Sequence, residues 1–317
     1  MLMKVKIGIL VLMLLFTGGK KNMLEEGYVN VPGGRIWYRV IGSGNGIPLI
    51  AIHGGPGGRS CSMIDGFSLL ADERPVVVYD QLESGNSDRP GDTSLWKLNY
   101  FVEELKLLVK ALDLKEYHLL GSSWGAAILV EYMLTQDTTG VRSVIFSGPL
   151  LSTSQWIKDA RVLLSRLPQN LQDTINKYEK LEDFNTPAYL AATDSFYSRF
   201  LSRNHLSKKR TGDNCKGVPG FNEKIYNYMW GPSEFTMRGT LYDFDRTREL
   251  HKIKQPVLYI IGEYDEVLPE TAANYCSLTP HAELRITQDA AHAQLRDQPF
   301  EYTHALREFL NETESKK

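Results

Sequence analysis

The sequence predicts an α/β fold: a mostly parallel sheet flanked by helices, with a helical cap inserted near its middle. Three observations carry this. First, short apolar runs at Leu49–Ile52, Pro75–Tyr79, Tyr117–Leu120 and Val141–Phe146 are continuous rather than alternating. Strands of that kind are buried on both faces, as in a parallel sheet covered by helices. Second, helical patterns lie between them; Phe101, Leu105, Leu108 and Leu112 recur at three- and four-residue spacing on one face. Third, this rhythm stops after Pro149 and resumes only with Val257–Ile261 and Leu284–Ile286.

Taken in order, the elements read as follows. Tyr28–Val40 holds Pro32-Gly33-Gly34 between two extended runs, the signature of a hairpin. The strand–helix alternation then builds the first part of the core, over residues 20–149. Residues 150–245 are helical, polar and aromatic, with Tyr178, Tyr189, Phe196, Tyr197, Phe200, Tyr226, Tyr228 and Trp230, and form the cap. Residues 246–317 complete the core and end in a helix from about Phe300 to Leu310.

Residues 1–19 stand apart. Lys4 and Lys6 precede an apolar run from Ile7 to Phe16, and Thr17-Gly18-Gly19 follows. A basic start, a short apolar stretch and small residues after it form the pattern of a secretory signal peptide. The run is shorter than the roughly 20 residues that span a bilayer. Gly19 occupies the place where a lipoprotein signal would carry its lipidated cysteine. The expectation is export to the periplasm or medium; the alternatives are a cytoplasmic chain or an uncleaved N-terminal anchor, the one route to membrane contact.

The 317 residues carry 36 Lys+Arg against 38 Asp+Glu, a net charge of −2, which leaves no basic footprint for nucleic acid. Hydrophobic residues at 42% and charged residues at 23% exclude a disordered or collagen-like chain. Cys61, Cys215 and Cys276 lack metal-ligand or CxxC spacing, so one disulfide or three thiols fit equally.

The chemistry concentrates at Gly121-Ser122-Ser123-Trp124-Gly125, where a buried strand runs into a helical pattern. A serine hydroxyl is a poor nucleophile unless a base reaches it, and a sharp strand-to-helix turn lifts Ser123 above the sheet. Upstream, His53-Gly54-Gly55-Pro56-Gly57-Gly58 follows another apolar strand and offers a backbone N–H to an oxyanion, with the Trp124 N–H as second donor. His53 belongs to that loop and reads as structural. Past the elbow, the base and its orienting acid should follow in the order acid, then histidine. His205, His251, His281 and His304 lie in the insertion, in polar stretches or inside the last helix. His292 lies just beyond the last strand, and Asp265 just beyond the strand before it, placed to hold one imidazole nitrogen while the other faces Ser123. The expected catalytic set is Ser123, Asp265 and His292.

These blocks together resemble the proline iminopeptidases (prolyl aminopeptidases), serine peptidases on the α/β-hydrolase fold. The resemblance runs from about Gly27 to Leu310. It rests on HGGPG at His53–Gly57, YDQ at Tyr79–Gln81, SSWG at Ser122–Gly125, GPSEF at Gly231–Phe235 and GEYDEVLP at Gly262–Pro269. It implies Gly55 and Trp124 as oxyanion donors, and Glu234 and Glu266 as ligands of the substrate's free amino group. That amine, with a pKa near 8, is mostly a cation at neutral pH, and two converging carboxylates would select it. The activity implied is release of N-terminal proline, or another small residue, from short peptides. No HExxH, GKS/T or GxGxxG pattern is present, and no metal or organic cofactor is expected.

Two departures stand out. Glu83 occupies the first glycine position of the loop after YDQ; if that position needs a positive φ, the cost is on the order of 1 kcal/mol. Its carboxylate could join the amine pocket as a third. Ser122 stands where glycine is commoner. The alternatives to a peptidase are an esterase, amidase or lactonase using the same triad, and a non-catalytic ligand receptor. What separates them is whether Glu234 and Glu266 converge near Ser123 or face solvent.

Overall fold

The computed structural model describes residues 26–203 and 213–315. The signal-like segment, His205 and the final two residues fall outside the described residues.

The hairpin expected around Pro32 forms from β1 (Glu26–Val31) and β2 (Gly34–Ile41), followed by β3 (Leu49–Ile52), α1 (Cys61–Phe67) and β4 (Val76–Tyr79). Next come α2 (Leu98–Ala111), β5 (Tyr117–Ser122), α3 (Trp124–Thr135) and β6 (Val141–Ser147). The segment between β6 and β7 holds α4 (Thr153–Leu164), α5 (Gln169–Leu181), α6 (Pro187–Phe200) and α7 (Glu223–Met229). The chain then returns to the sheet with β7 (Val257–Gly262), α8 (Pro269–Leu278), β8 (Ala282–Thr287), the single turn α9 (Gln294–Asp297) and α10 (Pro299–Ser315).

The eight strands form one sheet in the order β1-β2-β4-β3-β5-β6-β7-β8. β1–β2 and β2–β4 pair antiparallel, and every later pair is parallel. Continuous apolar strands follow from this arrangement, because both faces are covered. Ile50, Ile52, Val77, Tyr79, Leu119, Tyr259 and Ile261 pack on one face with α2 and α3. Their neighbours Leu49, Ala51, Val76, Val78, Leu120, Leu258 and Ile260 pack on the other with α1 and α10. The insertion has a core of its own: Leu163, Leu164, Ile175, Tyr189, Phe196 and Phe235 join α4, α5 and α6.

The strand order reverses around β3, so the loops leaving the carboxyl ends of β3, β5, β7 and β8 open on one crevice, where α/β sheets place ligands. The cap lies across it. A disulfide and a backbone hydrogen bond are among the links that hold cap and core together. Cys61 of α1 is disulfide-bonded to Cys215, leaving Cys276 as the free cysteine, which decides the question that spacing left open. Asn222, before α7, donates its N–H to Gly57 O at 2.9 Å.

Candidate active site

Ser123 sits at the turn between β5 and α3 with φ 56° and ψ −121°, the strained left-handed backbone expected of an elbow nucleophile. The turn is pinned: the Ser123 N–H donates to Ser147 O at 3.0 Å, and the Leu150 N–H to Ser123 O at 3.3 Å. Trp124 opens α3, so its N–H belongs to the first turn, where helix donors lack intrahelical acceptors. The Gly54–Gly55 loop lies directly against the serine. A Cβ at Gly54 would stand 3.0 Å from Ser123 Cβ and 3.5 Å from its Oγ, so only glycine leaves room for a substrate carbonyl there.

The YDQ block explains how elbow and loop keep their spacing. Gln81 accepts from the Trp124 indole at 2.9 Å and donates to His53 O at 2.9 Å, bridging the two. His53 is consumed by its own contacts: Nε2 accepts from the Gln81 N–H at 3.2 Å, and Nδ1 donates to Gly54 O at 2.7 Å. Burial pushes its pKa down and keeps it neutral.

His292 and Asp265 come together as expected, Nδ1 to Oδ1 at 2.7 Å. Asp265 is 1% exposed and also accepts from the Gly262 N–H at 3.0 Å and the Val267 N–H at 3.2 Å. Gln294, a residue without a motif to mark it, donates to its other oxygen at 3.4 Å. His292 hangs from the end of α6, its N–H donating to Phe200 O at 2.9 Å. The ring rests on Gly148, where φ is +50° and a Cβ would meet Nδ1 at 2.7 Å. Gly148 directly follows Ser147, whose carbonyl holds Ser123, so imidazole and hydroxyl are referenced to the same strand end. Trp156 of α4 meets the imidazole edge-on, with ring centroids 5.4 Å apart.

The two glutamates flank this base. Glu266 is 1% exposed, and one carboxylate oxygen lies 4.0 Å from His292 Nε2. Neither of its oxygens has a hydrogen-bond partner. Glu234 reaches in from the cap loop after α7; it accepts from Tyr226 Oη at 2.6 Å, and its own carbonyl accepts from the Trp156 indole at 3.1 Å. Burial pushes both carboxyls up, Glu266 well above the ordinary range because the Glu234 charge adds to it. Burial opposes a charge on His292, but Asp265 together with Glu266 and Glu234 outweighs it and raises the imidazole to about 9. Three carboxyl groups, those of Asp265, Glu266 and Glu234, thus act on a single imidazole.

Glu83 goes elsewhere. The position does have a positive φ, at 70°, but the carboxylate turns to partners other than Glu234 and Glu266. It accepts from the Gly91 N–H at 2.6 Å and the Trp96 indole at 3.2 Å, while Glu83 O accepts from Asn222 Nδ2 at 2.9 Å. Tyr226, Trp156 and Gln294 are the site residues that motif reading missed. Among the described residues no group of three or more His, Cys, Asp or Glu is placed to hold a metal ion.

The α/β-hydrolase fold model matches residues 47–299, from just before β3 to the start of α10, and takes in the cap and all the groups above. The chain belongs to the α/β-hydrolase family. Within it, the relatives are consistent. The chain is 43% identical to a proline iminopeptidase of Heyndrickxia coagulans over 91% of its own length and 99% of the relative's. It is 33% identical to one from Saccharolobus solfataricus, covering 92% and 94%. Among solved structures, the proline iminopeptidase of Mycobacterium smegmatis superposes with a TM-score of 0.81 at 28% identity, covering 91% of this chain and 98% of that one. At these identities and coverages the chain is a member of the proline iminopeptidase group, as the five sequence blocks led one to expect.

Proposed function

We propose that this protein is a serine exopeptidase that releases N-terminal proline from short peptides through an acyl-enzyme. The observation that carries the reading is Glu266, a fully buried carboxylate with neither oxygen hydrogen-bonded, 4.0 Å from the base and within electrostatic reach of Glu234. Burying an unpaired charge is costly, so such a group calls for a cation from outside the chain. A substrate's terminal amine is that cation. An acylated or internal residue has no such charge and would leave the carboxylate stranded, which restricts cleavage to the first bond. The esterase and lactonase reading gives Glu266 nothing to do.

In this account His292 Nε2 takes the Ser123 hydroxyl proton as Oγ attacks the carbonyl of the first residue. Asp265 holds Nδ1–H and stabilises the imidazolium. The N–H groups of Gly55 and Trp124 receive the oxyanion, each worth on the order of 10²-fold in rate. His292 then protonates the leaving amine and activates the water that hydrolyses the acyl-enzyme. Trp156, against the imidazole and tied to Glu234, walls the space in which a pyrrolidine ring would sit.

The test is hydrolysis of proline β-naphthylamide beside alanine β-naphthylamide, N-acetylproline β-naphthylamide and p-nitrophenyl acetate, with Ser123→Ala as the blank. The free prolyl amide should be cleaved fastest and its acetylated form not at all. Equal rates on free and acetylated amides, or turnover of the ester alone, would return the chain to the esterase class.

Export is part of the same proposal. It is supported by the basic–apolar–small order of residues 1–19 and by the Cys61–Cys215 disulfide, a bond that persists in oxidising compartments. Thiol titration of unfolded protein taken from its native cells should count one thiol, Cys276; a count of three would contradict it.

A further inference from the structure

Substrate recognition and base activation share an atom in this site. His292 Nε2, the nitrogen that must accept the serine proton, lies 4.0 Å from a Glu266 oxygen that has no other partner. The charged groups facing the imidazole are Asp265 and Glu266, from the turn after β7, and Glu234, from the cap. The other neighbours are Trp156 on α4, which meets the ring with an edge, and Gly148 after β6. Glu234 has Tyr226 to satisfy it and Asp265 has two backbone N–H groups; Glu266 has only the imidazole. A buried carboxylate in that position pairs with whichever cation is present.

We propose that in the empty site Glu266 holds His292 as an imidazolium, unable to act as a base, and that the substrate's ammonium displaces it from this carboxylate and so switches the base on. The proposal rests on the amine-binding reading above and assigns Glu266 a second role. The proton balance is simple. The ammonium enters carrying one positive charge, the Nε2 proton leaves to solvent, and the charge of the buried cluster is unchanged. The freed Nε2 lone pair then accepts the Ser123 proton. Burial lowers the His292 pKa, the charge and hydrogen bond of Asp265 raise it most, and Glu266 and Glu234 add to that rise; a cation set between the two glutamates cancels their share of the pull on the ring. A ligand without the cation would find the site shut, which sharpens selection for a free N-terminus beyond binding alone. Because the trigger is charge, any compact primary or secondary ammonium of the right reach would operate it, and the pyrrolidine wall would decide which are then cleaved.

The experiment uses full-length Ser123→Ala protein, which binds without turnover, and L-prolinamide as the probe. Ring ¹⁵N signals of His292, assigned by their loss in a His292→Gln variant, should report an imidazolium in the empty protein at about pH 7.5. They should report a neutral ring with L-prolinamide bound. Calorimetry in phosphate and in Tris should show about one proton released per molecule bound. In Ser123→Ala/Glu266→Gln the ring should already be neutral when empty, a readout that survives even if that variant binds poorly. A neutral ring in the empty Ser123→Ala protein, or an imidazolium that persists in the complex, would overturn the inference and leave the amine pocket intact. Binding of N-acetylprolinamide as tightly as L-prolinamide would overturn the amine pocket itself, and the inference with it.

Discussion

At the residue scale, the strongest constraint is on Asp265. Its two oxygens accept from His292, Gly262, Val267 and Gln294, so its carboxylate is fixed before any substrate arrives. Asp265→Asn would keep the shape but present an amide N–H or a weaker acceptor to Nδ1, favouring the wrong tautomer. Steady-state kinetics on proline β-naphthylamide should show kcat down by roughly 10⁴-fold with little change in KM. A drop of less than tenfold would mean that Asp265 does not orient the base. Most of these residues were legible in the sequence, because chemistry confines them to strand ends and to a fixed chain order. Tyr226, Trp156 and Gln294 were not. Each is one aromatic or amide among several, and only the folded chain brings Tyr226 to Glu234 or Gln294 to Asp265.

At the element scale, α7 is the piece that registers cap against core. Asn222 caps it, accepting from the Lys224 N–H at 3.2 Å, while its own N–H and Nδ2 groups clamp Gly57 and Glu83. Trp96, held by Glu83, meets the Tyr228 ring of α7 edge-on at 5.2 Å. Glu83 therefore serves this junction, and two effects oppose each other there. Its φ of 70° costs on the order of 1 kcal/mol that glycine would avoid. Its buried carboxylate makes hydrogen bonds worth about 1.5–3 kcal/mol each, so the bonds win. Glu83→Gly should accordingly destabilise the protein by about 1–3 kcal/mol in urea unfolding and raise KM, through a looser α7 and Glu234, more than it lowers kcat. A stabilised Glu83→Gly protein would show that backbone strain dominates. Sequence alone flagged this position as a departure and located its backbone cost. The destination of the side chain depends on Trp96 and Asn222, which no local pattern connects to it.

At the scale of the whole molecule, the carboxyl ends of the strands, where the catalytic groups sit, are opposed by an anchor at the amino ends of β5 and β6. His118 on β5 is fully buried, with Nδ1 2.6 Å from Ser143 Oγ on β6 and Nε2 3.2 Å from Glu314 on α10. Arg74, also buried, pairs with the same glutamate and reaches Asn311 at 2.8 Å. Burial lowers the pKa of His118 and keeps it neutral, so Nε2–H donates to Glu314. Burial pushes the Glu314 carboxyl up, but the hydrogen bonds from His118 and Arg74 and the Arg74 charge overcome it, holding the group at about 2 against an ordinary 4.5. A carboxyl depressed on folding stabilises the fold fully above its unfolded pKa and loses that contribution as pH falls through the folded one. Wild type should thus lose more stability than Glu314→Gln between about pH 5 and pH 2, and denaturation curves across that window would show the two converging. Parallel curves would place no ionic tether at α10. The α/β class, the strand rhythm and the insertion were readable because burial on two faces imposes its own composition. The Cys61–Cys215 bond, across a sequence separation of 154, and the anchor at Glu314 join distant segments and are products of the folded topology.

On the function proposed above, the buried carboxylates beside His292 select a free amino terminus. The most direct measurement is the ratio of kcat/KM for proline β-naphthylamide to that for its N-acetyl derivative, in wild type and in Glu266→Gln. Removing one partner of a buried charge pair costs about 2–5 kcal/mol, so the ratio should be large in wild type and fall on the order of 10²-fold in the variant. A ratio that Glu266→Gln leaves unchanged would contradict the account.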